Sequence, residues 1–130
     1  MTFGYEARTM DQDHDVIMVG AGLAATLTAL RLRALRPELD LCLLEEQPRA
    51  DDHHTWCCFD TDLSESDRAW MSPLWSNHWE GYQVRFPSHQ RQLSTGYNRL
   101  SATRLNQVRD EVLGDCVHYG QSVKTLAADH

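Results

Sequence analysis

A Gly-x-Gly-x-x-Ala motif lies where an apolar run turns into an amphipathic segment, and it constrains the fold more than any other feature of this chain. The motif occupies residues 20–25. The run before it, residues 15–20, is apolar and β-branched, as in a strand buried on both faces of a parallel sheet. Apolar residues recur at helical spacing over residues 22–36, and residues 39–45 form a second apolar run. The sequence therefore predicts a strand-helix-strand unit of an α/β fold.

The small residues of the motif are the ones that nucleotide binding requires. Gly20 permits a tight turn, Gly22 lets the backbone approach a diphosphate, and the small Ala25 lets helix and strand pack closely. Backbone amides at the start of the helix then face the phosphates. We therefore assign the whole motif to cofactor binding: Gly20, Ala21, Gly22, Leu23, Ala24 and Ala25.

A carboxylate at the end of the second apolar run completes this pattern. Glu45 follows Ala25 by 20 residues, where an acidic side chain accepts hydrogen bonds from the ribose hydroxyls of adenosine. A 2′-phosphate would meet a negative charge there, so FAD or NAD fits better than NADP. The alternative is that the glycines only make a turn in an unrelated α/β fold and that Glu45 is a solvated strand end.

The segment after Glu45 favours FAD over NAD and predicts a second layer. Instead of further regular alternation, residues 48–61 form a loop rich in Asp and His. Ser64 and Asp67 form a capping box at the start of a short helix. Residues 82–86 and 90–94 alternate like two paired strands.

The last part of the chain predicts one more helix and two short strands. Ser101 is a suitable N-cap, and Gly114 a suitable stop, for a helix with three apolar residues on one face, namely Leu105, Val108 and Val112. Residues 116–119 and 122–126 resemble short strands. We divide the chain into a flexible extension and an incomplete FAD/NAD(P)-binding domain over residues 15–130. The extension is residues 1–14, the βαβ unit is residues 15–46, and the aromatic-rich remainder is residues 47–130.

Charge and composition exclude several classes of protein. The 130 residues include 12 basic and 19 acidic side chains, which gives a net charge of −7. No run of Lys or Arg could follow a phosphate backbone, so we expect no nucleic-acid partner. No apolar stretch approaches the roughly 20 residues of a membrane-spanning helix, and we expect a cytoplasmic or membrane-peripheral chain.

The cysteines and histidines indicate neither disulfides nor a metal centre. Four cysteines lack Cys-x-x-Cys spacing and predict reduced thiols: Cys42, Cys57, Cys58 and Cys116. The densest group of possible metal ligands has no spacing typical of zinc: His53, His54, Cys57 and Cys58, with Asp51, Asp52 and Asp60 nearby. We expect no metal site.

The aromatic residues are concentrated in one part of the chain. Eight of the eleven lie between positions 56 and 97. They either form the packing core of the second layer or surround a large apolar or cationic ligand.

Several of these segments recur, in the same order, in one known family. They are residues 15–25, Leu43-Leu44-Glu45, His54-Thr55-Trp56 with Phe59, Trp70-Met71-Ser72-Pro73-Leu74, Trp79-x-Gly81-Tyr82-x-Val84-x-Phe86-Pro87, and Gly96-Tyr97 before the Ser101 helix with Arg104. Over residues 15–126 the chain resembles the bacterial-type lycopene β-cyclases of the FAD/NAD(P)-binding flavoprotein superfamily. The nucleotide motif is shared by many flavoproteins, whereas the His-Thr-Trp and Trp-x-Gly-Tyr-x-Val segments are more specific.

The resemblance implies a fold and an activity. The fold would be a Rossmann-like FAD/NAD(P)-binding fold with part of an inserted α+β substrate layer. The activity would be cyclisation of lycopene to γ-carotene and then β-carotene by acid–base chemistry, without net redox change. It would use reduced FAD with NAD(P)H as the electron source. Because lycopene resides in bilayers, the resemblance also implies a position peripheral to the inner face of the cell membrane.

The resemblance also implies roles for particular residues. Arg104 would contact the cofactor, and the substrate pocket would include His54, Thr55 and Trp56. The family's acidic catalytic motif, Phe-Leu-Glu-Glu, lies beyond the position of His130, so we expect no catalytic residue on these 130 residues and no cyclisation by them alone.

One departure from the family and two alternatives remain. The family usually has Gly-Gly-Asn before His-Thr-Trp, where this chain has Asp51, Asp52 and His53, and this predicts weak FAD affinity. The first alternative is part of another FAD-dependent oxidoreductase, such as a monooxygenase or an isoprenoid reductase. The second is a non-catalytic nucleotide-binding module.

Overall fold

The predicted strand-helix-strand unit forms a parallel sheet with a third strand from the far end of the chain. This computed structural model describes residues 13–128, so residues 1–12 of the predicted extension lie outside it. Strand β1 (Val16–Val19) leads through helix α1 (Leu23–Leu35) to β2 (Leu41–Glu45). Strand β8 (Val117–Tyr119) pairs with the other edge of β2, and both pairings are parallel. The chain therefore has an α/β fold with a parallel sheet, as predicted.

The chain between β2 and β8 forms a second layer, in which all strand pairings are antiparallel. Strands β3 (Thr55–Phe59) and β4 (Asn77–Trp79) both pair with the central strand β7 (Tyr97–Ser101). Strands β5 (Tyr82–Phe86) and β6 (His89–Leu93) form a separate hairpin, which confirms the predicted strand pair.

Two further helices begin at the predicted serine caps. Helix α2 (Glu65–Met71) follows Ser64, whose Oγ accepts the backbone N–H of Asp67. Helix α3 (Ala102–Leu113) follows Ser101, whose Oγ accepts the N–H of Arg104. Three single turns of 3-10 helix connect neighbouring elements: Asp60–Asp62, Ser72–Leu74 and Gly114–Cys116. Among the described helices, none has the length and hydropathy that a membrane crossing requires.

One apolar core joins the two layers. Strand β2 is its centre, because Leu41, Cys42 and Leu43 are buried and because β2 has a strand on each side. Buried side chains from the glycine loop, the three helices, the turn Ser72–Leu74 and strand β7 complete the cluster: Ala21, Ala29, Leu30, Met71, Leu74, Leu100, Leu105 and Leu113. All four cysteines are free thiols, and burial raises the pKa of Cys42.

Two predictions made from local patterns, the loop at residues 48–61 and the strand at residues 122–126, are wrong. Residues 48–61 are not a continuous loop, because Thr55–Phe59 pairs along its whole length with β7. Residues 122–126 form no strand within the described chain. Whether a segment forms a strand depends on whether a distant strand pairs with it, and a local pattern does not contain that information.

The apolar face of α3 also differs from the prediction. Val112 is 47% exposed, whereas Leu113 and Arg109 are buried. The buried positions of the helix follow the i, i+4 rows of an α-helix through Leu105, Arg109 and Leu113. Sequence reasoning did not recognise this row as the buried face, because arginine is rarely buried and position 109 was therefore expected to be exposed.

Candidate functional site

A cleft of about 300 Å³ lies where the strands of the parallel sheet end. Ligands of open α/β sheets bind at this edge, outside the carboxyl ends of the strands. The lining combines the glycine loop, the ends of β2 and β8, the segment before β3, and helix α3: Ala21, Gly22, Leu23, Glu45, Gln47, Arg49, Ala50, Asp51, His54, Trp56, Leu105, Asn106, Arg109 and Tyr119.

The glycine loop presents backbone N–H groups to this cleft. Gly20 has a φ of +96°, which favours glycine. Helix α1 starts directly after Gly22, and no side chain caps it. The first N–H groups of a helix lack intrahelical acceptors, and their dipoles favour an anion. A Cβ placed on Gly22 would meet no atom within 4 Å, so the space beside the loop is open.

Glu45 already places an anion on this loop. Its Oε2 accepts the N–H of Ala21 at 2.8 Å, and its Oε1 accepts the N–H of Gln47 at 2.9 Å. The carboxylate therefore connects the end of β2 to the turn after β1. Because the loop binds a carboxylate through a backbone amide, it can bind other oxyanions in the same way.

A buried arginine supports the loop from the opposite side. Arg109 is 2% exposed, and its Nη1 donates to the carbonyl oxygen of Ala21 at 3.1 Å. Its guanidinium carbon lies 5.8 Å from the centroid of the Tyr119 ring, a cation–π distance. Burial raises the pKa of Tyr119, which keeps this phenol neutral at physiological pH.

The segment before β3, together with the start of that strand, forms the outer rim of the cleft. The rings of His54 and Trp56 stack, with centroids 5.8 Å apart, and His54 Nδ1 lies 2.5 Å from Asp51 Oδ2. The backbone N–H of His53 and then the side chain of His54 lower the pKa of Asp51. Asn106 anchors this rim to α3, because its Nδ2 donates to the carbonyl oxygen of Asp51 at 2.8 Å.

The cleft unites many of the residues selected from the sequence, but not all of them. Arg104 is not part of the cleft lining, because its guanidinium donates to the carbonyl oxygen of Pro73 and to Gln107. Thr55 is exposed on β3 and also lies outside the lining. Ala24 and Ala25 lie in the first turn of α1. Six of the selected residues line the cleft: Ala21, Gly22, Leu23, Glu45, His54 and Trp56.

Sequence reasoning missed the contribution of α3 and β8 to this site. Asn106, Arg109 and Tyr119 line the cleft without having been selected. A signal for Arg109 was present, because it follows Leu105 by four residues and precedes Leu113 by four. An arginine within an apolar row of a helix is either buried with a partner or close to a ligand.

A group of possible metal ligands lies on the rim but is open to solvent. Within residues 13–128, only Asp51, Asp52 and His53 bring three such atoms within 4.8 Å of one another. All three residues are exposed, and exposed acidic groups commonly occur without an ion.

Together, the fold and the cleft define an α/β protein with an anion-accepting glycine loop at the strand ends. A family model described as "Lycopene cyclase protein" matches residues 15–129. The chain therefore belongs to the lycopene cyclase family, which confirms the resemblance found in the sequence.

Individual relatives agree with this family. The chain is 41% identical over 120 residues to a lycopene beta-cyclase of Pantoea ananas, covering 92% of this chain and 31% of the relative. It is 48% identical over 92 residues to the lycopene beta-cyclase of a Paracoccus strain, covering 71% and 24%. A third such relative, from Pseudescherichia vulneris, is 38% identical over 112 residues, covering 86% and 29%. The chain thus spans less than a third of the length of these relatives.

Proposed function

We propose that this chain is the FAD-binding part of a lycopene β-cyclase, and that its cleft binds the adenosine diphosphate half of the cofactor. The observation that carries the proposal is the hydrogen bond from the Ala21 N–H to the Glu45 carboxylate. It joins the two elements that nucleotide binding requires, an amide-rich loop for phosphates and an acidic strand end for ribose.

The sheet and the cleft support the proposal independently. The strand order β1-β2-β8, read from β8, corresponds to the 3-2-1 half of a Rossmann-like sheet. The volume of about 300 Å³ falls within the range of small-molecule sites, about 300–1,000 Å³. The open space at Gly22 leaves room for a diphosphate close to the backbone.

The residues of the cleft fit distinct parts of such a ligand. The N–H groups at the start of α1, from Leu23 onward, would bind phosphate oxygens. Glu45 would accept the ribose hydroxyls, and its negative charge disfavours a 2′-phosphate. The stacked pair of His54 and Trp56 would form the boundary with the substrate pocket. We keep a cofactor contact for Arg104 only as a prediction from the family resemblance, because its side chain bonds elsewhere.

The proposed activity is that of the relatives, whose name is lycopene beta-cyclase. Lycopene would be converted to γ-carotene and β-carotene by protonation and loss of a proton, without net redox change. The reduced FAD, kept so by NAD(P)H, would supply negative charge near the developing cation. The proposed location is the cytoplasmic side, peripheral to the cell membrane, where lycopene is accessible.

We propose no catalytic acid on this chain. Its three adjacent acidic pairs are Glu45-Glu46 at the end of β2, Asp51-Asp52 before β3 and Asp110-Glu111 on the exposed side of α3. A catalytic carboxylic acid needs a dry pocket, and each of these six carboxylates is exposed or only half-buried. The 130 residues incubated with lycopene, reduced FAD and liposomes should therefore form no β-carotene above a blank without protein.

The cofactor proposal is tested by titrating FAD into the chain and following the quenching of flavin fluorescence, with ADP as competitor. We expect saturable binding weaker than about 1 μM, because Asp51 adds negative charge at the rim. ADP should displace FAD. Absence of binding up to about 1 mM, or failure of ADP to compete, would overturn the proposed site, whereas a sub-micromolar constant would contradict only the weak affinity.

A further inference from the structure

The side chain of Arg109 is a permanent charge buried beneath the cleft, and most of its donors are unused. It is 2% exposed. Its Nη1 donates to the carbonyl oxygen of Ala21. Among the described residues, neither Nε nor Nη2 has a hydrogen-bond acceptor. Arginine carries five N–H donors in a fixed fork, so several of them lack a partner in a place that water does not reach.

The neighbours of Arg109 do not balance its charge. The carbonyl of Ala21 is a neutral acceptor, and Tyr119 offers the face of its ring. The nearest carboxylate is that of Asp110, 3.5 Å from Nε and 63% exposed, and an exposed partner contributes little because solvent screens it. A buried charge without a buried counter-ion is costly. An anion in the cleft would remove this cost.

We propose that Arg109 is the side chain that binds the diphosphate in the cleft. Its Nη1 holds the glycine loop through the Ala21 carbonyl, and its free Nη2 and Nε donate to phosphate oxygens beside the start of α1. The guanidinium fork suits this double task, because its parallel donors match phosphate geometry. This inference rests on the proposed function and assigns to α3 a role in phosphate recognition that the glycine motif does not include.

A series of ligands tests this role by separating the contribution of the phosphates to affinity from that of the nucleoside. Adenosine, AMP and ADP compete with FAD for the chain, and their affinities are compared between the unchanged chain, Arg109→Met and Arg109→Lys. Arg68→Met is the control, since Arg68 is an exposed arginine on α2 outside the cleft lining. Circular dichroism and thermal unfolding show whether each variant is folded.

The expected result is a selective loss of the phosphate contribution. Arg109→Met should weaken ADP about tenfold or more and leave adenosine within about twofold, since only ADP would lose charge-assisted hydrogen bonds to the guanidinium. Arg109→Lys keeps the charge but not the fork, and should weaken ADP by about threefold to fivefold. Arg68→Met should leave all affinities unchanged.

Other outcomes would overturn the inference in distinguishable ways. Equal weakening of adenosine and ADP in Arg109→Lys would mean that the arginine only positions the loop. The same comparison decides the matter if Arg109→Met fails to fold. Failure of the unchanged chain to bind any of the three ligands or FAD would instead remove the proposed function on which the inference rests.

Discussion

The carboxylate of Glu45 and the backbone N–H of Ala21 are joined by a hydrogen bond of 2.8 Å across 24 residues of sequence. The bond connects the end of one parallel strand to the turn that follows its neighbour. The same carboxylate is the proposed ribose ligand, and because an ionised carboxylate has about four acceptor sites, Glu45 can accept ribose hydroxyls while it keeps this amide. On that proposal, the charge of Glu45 and its place at the strand end would both contribute to nucleotide affinity.

Replacing Glu45 by Gln tests the charge at this position. Glu45→Gln should weaken FAD about fivefold, because hydrogen bonds to a charged acceptor are stronger than those to a neutral one by about 1 kcal/mol. The measurement is fluorescence quenching of FAD. Glu46→Gln is the matched control, since Glu46 is the exposed neighbour outside the cleft lining. Equal losses in the two variants would indicate only a general change in charge.

A methyl group on Gly22 tests the close approach of the phosphates. A Cβ there meets no protein atom within 4 Å, so Gly22→Ala should fold with a stability within about 1 kcal/mol of the unchanged chain. It should nevertheless weaken ADP about tenfold or more, since the backbone could no longer contact a diphosphate directly. Gly114→Ala is the control, because a Cβ at Gly114 also meets nothing within 4 Å. Unchanged ADP affinity in Gly22→Ala would contradict the assignment of the loop.

The lowered pKa of the rim carboxylate Asp51 predicts that its charge is constant between mildly acidic and neutral pH. Its pKa lies below the usual 3.8 because the N–H of His53 and the side chain of His54 bind its charged form. A carboxyl group of this kind stabilises the fold above its unfolded pKa, and that stabilisation is lost as the pH falls through the lower, folded pKa. Asp51 therefore stays charged throughout the neutral and mildly acidic range.

It follows that Asp51→Asn should strengthen ADP binding about twofold to threefold by removing a repulsion near the phosphates. The gain should be the same at about pH 5 and about pH 8, measured by competition with FAD. Asp52→Asn should have little effect, because Asp52 is outside the cleft lining. A gain that disappears at the lower pH would show that Asp51 titrates in this interval.

Ser101 caps the helix that carries Arg109. Its Oγ accepts the N–H of Arg104 at 3.2 Å and bonds Ser76 Oγ at 2.9 Å. Ser101→Ala should lower the free energy of unfolding by about 1 kcal/mol, which corresponds to a fall in Tm of about 3–6 °C. Ser88→Ala, in the exposed turn between β5 and β6, should change it by less than about 0.5 kcal/mol. Thermal unfolding followed by circular dichroism checks both values.

The strand-helix-strand part of the first sheet was predictable because its signals are local. The apolar runs of β1 and β2, the glycine motif and the helical spacing of α1 all lie within residues 15–45. The central strand of the second sheet, β7, could not be predicted from the sequence, because its buried positions include the polar Asn98. Asn98 is satisfied by Asp60 and His78, and these partners lie 38 and 20 residues away along the chain. No alternation of apolar and polar residues signals a strand of this kind.

The candidate site likewise has a part that the sequence predicted and a part that it did not. The loop and the acidic strand end belong to one motif, and Ala21, Gly22, Leu23 and Glu45 of that motif line the cleft; their role in cofactor binding stays a prediction. Arg109 and Tyr119 reach the cleft only because α3 and β8 fold back onto the first sheet. Their contribution depends on tertiary packing, which the spacing of residues in a single sequence does not specify.

The carbonyl oxygen of Ala21 accepts two hydrogen bonds that differ greatly in range. Thr26 Oγ1 donates from five residues away, and Arg109 Nη1 donates from 88 residues away. The first bond can form with the initial turns of α1, whereas the second must close a long loop. During synthesis at about 5–20 residues per second, the ribosome needs about 4–18 s to add the intervening residues. The residues of the glycine loop are therefore synthesised several seconds before Arg109, and during that time the Ala21 carbonyl can accept only the local bond from Thr26.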